Sequence, residues 1–392
     1  MDITAIQQAL GEQGLDGWLL YDLRGSNPIA RAVIGFDERQ IGTRRWFYLI
    51  PQDGEPVAIL HVIEPNALAG APGLKVLYRS WRELESTLKT HLAGKKRVAM
   101  EYSPGAAIPL VSRVDAGTIE MVRAAGPEVC SSADLVQIFE ARWTPEQKEL
   151  HDRAATGCTR AKDEAFALIK ERLARGPAIR ESEVQAFISA RFEAFGLYTN
   201  HPCIVAVNDH ASDPHFETAA GPNDREIGKG DVVLIDFWAK VAADPRAVYY
   251  DATWMGFCGS APPARVQEVW QAVVGGRDAA IAFVKDAVAA GRTIHGYEVD
   301  AVCRDVVEAK GFGSFFLHRT GHSIGYEVHG NGVNIDNLET RDQRRIIPGV
   351  CFSIEPGVYL PEFGVRSEID MYVGDGTAEV TGDIQRELLL LA

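Results

Sequence analysis

The chain has 392 residues, of which 46% are hydrophobic and 24% are charged. At roughly 100–200 residues per domain this length predicts two or three domains, and the composition is typical of a folded globular protein rather than a disordered or fibrous one. The formal net charge of −14 repels nucleic acid and anionic lipid, so neither is an expected partner and a small or cationic ligand is favoured.

The N-terminal residues and the cysteines both favour a cytoplasmic location. Residues 1–10 contain no basic stretch of the secretory kind, and no apolar run approaches the roughly 20 residues that span a bilayer. The six cysteines stand singly, without a CxxC pair, and are predicted to be reduced core residues. We therefore expect no membrane segment.

The first 135 residues predict an α/β domain, because strand-like runs alternate with helical patterns. The runs are Gly17–Tyr21, Trp46–Ile50, Val57–Leu60 and Arg97–Met100, and Trp81–Leu92 has helical periodicity. The histidines of this part, His61 and His91, stand alone and are assigned no role.

A second domain is predicted over residues 136–392. Residues 132–144 indicate a connecting helix and turn, after which Thr144 is a good N-cap and Pro145 suits the first helical position. A long helix is predicted from Pro145 to about Leu173.

An internal repeat follows. Residues 176–196 match residues 291–311 at a constant offset (291 − 176 = 115), with identities at Gly176, Ile179, Glu183, Val184, Ala186, Glu193, Ala194 and Gly196. A long helical pattern precedes each copy, the second at Pro263–Ala290, and β-rich segments follow each. Such a duplication predicts a pseudo-twofold domain whose halves face a common cleft, although a chance similarity between amphipathic helices is the alternative.

Two carboxylates interrupt apolar strands after the first copy. Asp236 follows Leu234-Ile235 and precedes Phe237, and Asp251 follows Tyr249-Tyr250. Burying a carboxylate is unfavourable without a compensating charge, so a hairpin that joins the two predicts a bound divalent ion; bonding to arginine or to backbone N–H groups is the alternative.

After the second copy come a histidine-rich stretch and two strand-like glutamates. The histidines are His318, His322 and His329, and the glutamates are Glu355 and Glu368. Two aspartates, one histidine and two glutamates form an oxygen-rich donor set that suits a pair of divalent ions such as Mn²⁺, Co²⁺ or Zn²⁺.

In this order the donors resemble those of the pita-bread metallopeptidases, the family of methionine aminopeptidase, prolidase and aminopeptidase P. The matching pieces are Leu234-Ile235-Asp236, Asp251-Ala252-Thr253, Gly321-His322-Ser323-Ile324-Gly325, Ile354-Glu355-Pro356-Gly357 and Val365-Arg366-Ser367-Glu368. The histidine spacing and the N-terminal domain resemble the prolidase and aminopeptidase P branch.

The resemblance implies an α+β protein with an N-terminal α/β creatinase-like domain, a C-terminal pita-bread domain, and homodimer formation. It implies that Asp236 binds one metal ion, that Asp251 and Glu368 bridge two, and that His322 and Glu355 complete the second. It further implies that Glu355 is the general base, that His215 lies beside the substrate and that His329 stabilises the tetrahedral intermediate, with His318 and Arg366 as expected substrate-binding residues. The implied substrate is a small peptide with proline at its second position.

Two positions depart from the family pattern. Trp238 stands where a glycine usually follows the first aspartate, and residues 240–246 lengthen the hairpin connection. Ile369 replaces the acidic residue that commonly follows the bridging glutamate, which leaves the hydrogen bonding around the ligands open.

Three alternatives to a Xaa-Pro dipeptidase stay open. One is a Xaa-Pro aminopeptidase on longer peptides, one a metal-free peptide-binding module, and one a metal-free hydrolase like creatinase. The choice between a dipeptidase and an aminopeptidase depends on whether a basic group holds the free C-terminal carboxylate of a dipeptide. Candidates for this group are Arg44, Arg45 and a residue of a partner subunit.

Overall fold

The computed structural model describes residues 1–35 and 42–392 and contains two compact units, unit 1 (Met1–Glu140) and unit 2 (Ala141–Ala392). The sequence placed the boundary after residue 135. Each unit has its own sheets, helices and hydrophobic core.

Unit 1 is built on a mixed six-stranded sheet. In spatial order the strands are Leu74–Tyr78, Val57–His61, Trp46–Pro51, Gly17–Asp22, Arg97–Met100 and Glu128–Ser131. The helices are Ile3–Glu12, Pro28–Ile34, Trp81–Leu92, Ala116–Ala124 and Ala133–Val136, with 3₁₀ turns at Pro104–Ala106 and Pro109–Val111. The four predicted strands and the predicted helix are confirmed.

Helices cover both faces of this sheet. Trp18 and Leu20 pack in one core cluster, whereas Leu19 and Tyr21 pack in another, because successive side chains of a strand point to opposite faces. Strands buried on both faces read as continuous apolar runs, which is the pattern seen in the sequence.

The first helix of unit 2, Pro145–Arg175, begins after a π-helical turn at Gln137–Ala141. Thr144 is its N-cap: the Thr144 Oγ1 accepts from the Gln147 N–H, and the Gln147 side chain accepts from the Thr144 N–H. This capping box satisfies two N-terminal N–H groups and fixes the start of the helix where it was predicted.

The duplicated segments of unit 2 have the same local structure. Helices Pro145–Arg175 and Glu181–Ala194 form the first helix pair, and Ala264–Ala289 and Gly296–Ala309 form the second. The repeat glycines Gly196 and Gly311 both have positive φ (69° and 83°) just beyond a helix end, a position that favours glycine. The predicted helix, helix, strands order is therefore confirmed in both halves.

Short strands complete unit 2. A five-stranded sheet contains Leu389–Leu390, Tyr250–Phe257, Val232–Val241, Leu197–Tyr198 and Ile204–Val207, and a four-stranded sheet contains Ser323–Ile324, Cys351–Ile354, Ile369–Val373 and Ala378–Thr381. Two-stranded ribbons pair Gly357–Tyr359 with Gly364–Arg366 and Ile179–Arg180 with Glu226–Ile227. Short 3₁₀ helices lie at Asn208–Ser212 and Gly313–Phe315.

The six cysteines form no disulfide among the described residues; five are buried and Cys130 is half-buried. Within residues 1–35 and 42–392, none of the helices combines the length and the apolarity that crossing a lipid bilayer requires.

Candidate functional site

Strands Val232–Val241 and Tyr250–Phe257 form an antiparallel pair, named here the carboxylate hairpin. Its register places Asp236 opposite Thr253 and Trp238 opposite Asp251. Residues paired in this way share a face, so both carboxylates point to the same side of the sheet. The alternate residues Val233, Ile235 and Phe237 pack in the core cluster that includes the long helix Pro145–Arg175, which explains why a nearly apolar strand carries one carboxylate.

His322 reaches the same face from the second half of unit 2. Its backbone is fixed to the neighbouring strand, because the His322 N–H donates to Ser353 Oγ at 2.9 Å and the Ser353 N–H donates to the His322 carbonyl at 2.8 Å. The His322 Nε2 then lies 3.7 Å from Asp251 Oδ2 and 3.3 Å from Glu355 Oε1.

Glu355 and Glu368 complete the cluster. The Glu355 Oε1 accepts from Ser353 Oγ at 3.2 Å, and Glu368 Oε2 accepts from Thr253 Oγ1 at 2.8 Å. The side chains of Asp251, His322 and Glu368 are buried, and one potential ligand atom from each lies within 4.8 Å of the other two. These three residues fit a metal site.

Two further observations favour a cation here. The Oδ1 atoms of Asp236 and Asp251 are buried and accept no hydrogen bond from the described residues, although a buried polar atom normally has a partner. His322 presents a neutral imidazole, since burial lowers its pKa well below 6.5 and the nearby His329 and Arg319 add to this effect. Anionic oxygens and a neutral imidazole are the donors that divalent metals bind.

The carboxyls raise one another's pKa. For Asp251 and Glu368 burial is the main cause and neighbouring carboxylates add to it, so both pKa values lie well above their usual range. Burial also raises the pKa of Glu355 to about 7, against the opposing charge of Arg366. Several carboxylates crowded together ionise together only with added positive charge nearby.

Arg366 is the buried cation of this cluster. Its guanidinium donates to Asp236 Oδ2 at 2.5 Å, to Thr253 Oγ1 at 3.1 Å, and to Tyr359 Oη and the Pro214 carbonyl at 3.3 Å. The sequence singled out Arg366 as a substrate-binding residue, but not Thr253 or Tyr359, because their contacts depend on strands distant in the chain.

Asp370 supplies hydrogen bonding that Ile369 cannot. The Asp370 Oδ2 accepts from the Asp251 N–H at 2.8 Å, and buried His151 lies 3.9 Å from the same oxygen. Ile369 points into the core instead. The acidic group therefore stands two residues after Glu368 rather than one, and it fixes the backbone of Asp251.

The predicted substrate-side histidines differ in their surroundings. The His318 Nε2 is 2.7 Å from Tyr359 Oη, and burial lowers the His318 pKa to about 3. His329 reaches solvent, yet its ring lies 4.2 Å from that of His322 and desolvation by the surrounding protein lowers its pKa to about 4. His215 is exposed, and its backbone N–H donates to Asp213 Oδ1.

All nine site residues expected from the sequence line one cavity of about 490 Å³ in unit 2. They are Asp236, Asp251, His322, Glu355, Glu368, His215, His329, His318 and Arg366. The apolar part of the cavity wall is formed by Ile204, Trp238, Leu317 and Val328. The remaining lining residues are Asp213, Pro214, Arg319 and Glu339. The volume is in the range of small-molecule sites.

The model of metallopeptidase family M24 matches residues 149–375, more than half of the chain. The chain belongs to metallopeptidase family M24. A member of this family is expected to bind a divalent metal, and the Asp251, His322 and Glu368 group fits one.

The chain is also similar to named relatives. It is 28% identical over 251 residues to the probable dipeptidase PepE of Mycobacterium tuberculosis, covering 64% of this chain and 61% of the relative. It is 30% identical over 211 residues to a Xaa-Pro dipeptidase of Lactobacillus delbrueckii subsp. lactis, covering 53% and 51%. The chain spans about half to three-fifths of the length of the curated relatives it matches.

Among solved structures, the dipeptidase PepE of Mycobacterium ulcerans matches with a TM-score of 0.69 and 22% identity over 99% of this chain and 96% of that one. The predicted fold class, α+β with an N-terminal α/β domain and a C-terminal pita-bread domain, is confirmed. The homodimer and the roles of the individual site residues stay predictions.

Proposed function

We propose that this metallopeptidase hydrolyses Xaa-Pro peptide bonds and that it is a Xaa-Pro dipeptidase. The observation that carries the proposal is the convergence of Asp236, Asp251, His322, Glu355 and Glu368 on one cavity, from both halves of unit 2. The name of the similar Lactobacillus protein, a Xaa-Pro dipeptidase, supports the choice of bond.

We assign these five residues as ligands of two divalent ions, with Mn²⁺ first and Co²⁺ or Zn²⁺ as alternatives. The unpartnered oxygens of Asp236 and Asp251 support this assignment. Divalent ions in such a site activate water for attack and stabilise negative charge on the substrate carbonyl oxygen.

Glu355 is proposed to move the proton. Its carboxyl would take a proton from the attacking water and return it to the departing proline nitrogen, and burial, which raises its pKa to about 7 in the cavity without metal, favours this exchange. His215, exposed on the cavity wall, is proposed to assist this second transfer.

His329 is proposed to stabilise the tetrahedral intermediate. Its lowered pKa, about 4, keeps the ring neutral near pH 7, so that one nitrogen carries a proton to donate to the developing oxyanion. His318 and Arg366 are proposed to shape the substrate wall, with Arg366 acting mainly by holding Asp236.

The bond to proline suits a dedicated cavity. A Xaa-Pro amide has no N–H and a fixed φ, so it fits poorly in sites that pair with extended backbone. A pyrrolidine ring can pack against the apolar side chains of the cavity wall, which require no hydrogen bond from it. These side chains belong to Ile204, Trp238, Leu317 and Val328.

The test is an incubation of the chelator-treated protein with Ala-Pro, Ala-Pro-Ala and Ala-Ala, each with and without Mn²⁺. A dipeptidase should cleave Ala-Pro alone and only with metal. Cleavage of Ala-Pro-Ala would indicate the aminopeptidase instead, whereas cleavage of Ala-Pro without any metal would contradict the mechanism.

A further inference from the structure

The strand that carries Asp236 continues beyond the proposed ligands on the same face. Alternate residues of a strand share a face, so Asp236, Trp238 and Lys240 of strand Val232–Val241 point to one side of the sheet. Asp236 and Trp238 line the cavity. Lys240 lies outside the cavity lining, and its Nζ donates to the Tyr326 carbonyl at 2.7 Å. The site face of this strand therefore extends from a proposed ligand to a contact with the other half of unit 2.

Tyr326 belongs to residues 325–330, named here the 325–330 turn. The turn is closed by the Gly330 N–H, which donates to the Ser323 carbonyl at 2.7 Å, and it belongs to neither a helix nor a strand. His329, the residue proposed to stabilise the tetrahedral intermediate, lies in this turn and lines the cavity. The position of its ring therefore depends on the contacts that hold the turn.

Lys240 and Tyr249 together hold two consecutive carbonyls of the turn. The Tyr249 N–H donates to the Gly325 carbonyl at 2.9 Å, and Lys240 donates to the next carbonyl, that of Tyr326. The Lys240 Nζ also lies 4.7 Å from the centroid of the Tyr249 ring, within the range of a cation–π contact. Of the two hydrogen bonds, only the one from Lys240 comes from a side chain, so a substitution can remove it alone.

The contact between Lys240 and the turn is specific. The Lys240 side chain is half-buried, and the carboxylates in residues 1–35 and 42–392 form no ion pair with it. Withdrawing an ammonium from water is unfavourable unless a partner compensates. The Tyr326 carbonyl is that partner, and a hydrogen bond from a charged donor is about twice as strong as a neutral one.

The two histidines at the cavity have separate supports. The rings of His322 and His329 lie 4.2 Å apart, but the His322 backbone is fixed by Ser353, whereas His329 depends on the 325–330 turn. A displacement of the turn would therefore move His329 and leave the proposed ligand His322 in place.

We propose that Lys240 is a positioning residue for His329. Its bond to the Tyr326 carbonyl keeps the 325–330 turn against the carboxylate hairpin, and so keeps the His329 ring where it can donate to the oxyanion of the tetrahedral intermediate. The inference rests on the proposed function and deepens it. Lys240 itself does not line the cavity and acts only through the turn.

The experiment is a double-mutant cycle in the Mn²⁺-loaded full chain, with Ala-Pro as substrate. Lys240→Met removes the ammonium and keeps most of the side-chain length, and Lys240→Arg keeps a cationic donor. Lys285→Met is the matched control, at an exposed position of helix Ala264–Ala289 outside the cavity lining. Each substitution is measured in the wild type, in His329→Ala and in His215→Ala, and thermal unfolding verifies that each variant is folded.

Lys240→Met should lower kcat about three- to twentyfold, the range for a partly exposed hydrogen bond from a charged donor, and leave the Kd for Mn²⁺ unchanged. Lys240→Arg should recover part of the loss, and Lys285→Met should match the wild type. In His329→Ala, Lys240→Met should cost less than about twofold because the residue that it positions is gone, whereas in His215→Ala the full loss should remain.

Three results would overturn the proposal. A loss of the same size in His329→Ala as in the wild type would mean that Lys240 does not act through His329. Unchanged kcat in Lys240→Met would mean that the contact does not matter for the reaction. A weaker Kd for Mn²⁺ that accounts for the whole loss would place the effect on the metal ligands instead.

Hydrogen exchange of the backbone amides tests the positioning without any hydrolysis. In the full chain without substrate, Lys240→Met should speed the exchange of the amides of residues 326–329 and leave those of strand Cys351–Ile354 unchanged. Unchanged exchange in residues 326–329 would overturn the proposal even if kcat fell. If the exchange rises but His329→Ala hydrolyses Ala-Pro as fast as the wild type, the placement of the turn by Lys240 is supported and the proposed role of His329 is what fails.

Discussion

Glu355 combines partial access to the cavity with a pKa near neutrality. Its side chain is 15% exposed, against 6% for Asp251. Burial and the charge of Asp236 raise its pKa to about 7, while Arg366 and Arg319 oppose the rise. In the cavity without metal, a group balanced in this way gains and loses a proton near neutral pH, which is the property required of a general base that later acts as an acid.

Replacing Glu355 with glutamine keeps the shape of the side chain and removes the titrating group. With saturating Mn²⁺ we expect kcat on Ala-Pro to fall about 10²- to 10⁴-fold, the usual contribution of general acid–base catalysis. The unfolding temperature of the metal-free variant should stay at or above that of the metal-free wild type, because a buried charge is removed. Steady-state kinetics and a thermal melt measure both.

The control is Glu362→Gln, at an exposed position outside the cavity lining. It should match the wild type in both measurements. Full activity of Glu355→Gln would exclude Glu355 as the base.

At the scale of single residues, the sequence identified the candidate metal ligands but not the residues that form hydrogen bonds with them. Asp236 and Glu368 could be predicted because carboxylates in apolar strands are conspicuous. Thr253, which contacts both Glu368 and Arg366, could not, because the contacts follow from the register of strands more than 100 residues apart.

At the scale of elements, the approach of Gly321 to strand Cys351–Ile354 decides where His322 lies. Gly321 exchanges two backbone hydrogen bonds with Ile335. A Cβ on Gly321 would lie 1.9 Å from the Ser353 carbonyl oxygen, which is backbone and cannot rotate away. Glycine is required here by contact distance rather than by φ.

Gly321→Ala should therefore push the segment that carries His322 away from strand Cys351–Ile354. We expect a loss of stability of about 1–3 kcal/mol or more, the usual range for overpacking, and weaker Mn²⁺ binding, because His322 moves with its neighbour. Chemical denaturation and calorimetric titration with Mn²⁺ would measure the two effects.

Gly325→Ala is the matched control within the same motif, since the nearest atom to an added Cβ there is 3.9 Å away. It should change neither quantity appreciably. Tight Mn²⁺ binding by Gly321→Ala would show that His322 is not placed by this contact.

The elements themselves were largely predictable, and the connections were not. The repeat predicted both helix pairs from its identities in the sequence. The structure adds a physical reason, since Glu183 and Glu298 accept from the backbone N–H groups of Arg180 and His295 at equivalent helix starts. The hairpin connection was expected from residue 240, whereas the first strand continues to Val241. Its last residues, Lys240 and Val241, pair with strand Leu197–Tyr198, and the Lys240 side chain donates to the Tyr326 carbonyl in the other half of unit 2. No local pattern encodes either contact.

At the scale of the whole molecule, every residue of the candidate site belongs to unit 2, and its two halves contribute different donors. Asp236 and Asp251 come from the first half, and His322, Glu355 and Glu368 from the second. The stability of unit 2 therefore bears directly on the site. A buried titratable group that links the two halves can therefore make both the stability of unit 2 and the arrangement of the site depend on pH.

His151 is such a group. It is fully buried, and its Nδ1 lies 2.7 Å from the Tyr249 carbonyl while its Nε2 lies 2.7 Å from Thr381 Oγ1. A carbonyl only accepts, so Nδ1 carries the proton and the neutral Nε2 accepts from the threonine hydroxyl. Burial lowers the His151 pKa to about 4, from 6.5.

Because the pKa of His151 is lower in the folded protein than in the unfolded chain, the stability of the fold decreases as the pH falls. Between pH 6.5 and about 4 the histidine is protonated in the unfolded chain but not in the folded one, so acid favours unfolding; above pH 6.5 both states are neutral and the contribution is constant. At 1.36 kcal/mol per unit of pKa difference, His151 should lower the free energy of unfolding by roughly 2 kcal/mol between about pH 7 and about pH 5.

Urea denaturation of wild type, His151→Asn and His201→Asn at these two pH values, with equal metal content, would measure this contribution. His151→Asn removes the titrating ring, so its free energy of unfolding should fall less between the two pH values than that of the wild type, whatever its stability at pH 7. His201 is exposed, and its replacement should leave the wild-type dependence unchanged. The other buried histidines persist in all three proteins, so the difference between the curves isolates His151; parallel curves would show that its ring is protonated in the folded state as readily as in the unfolded one.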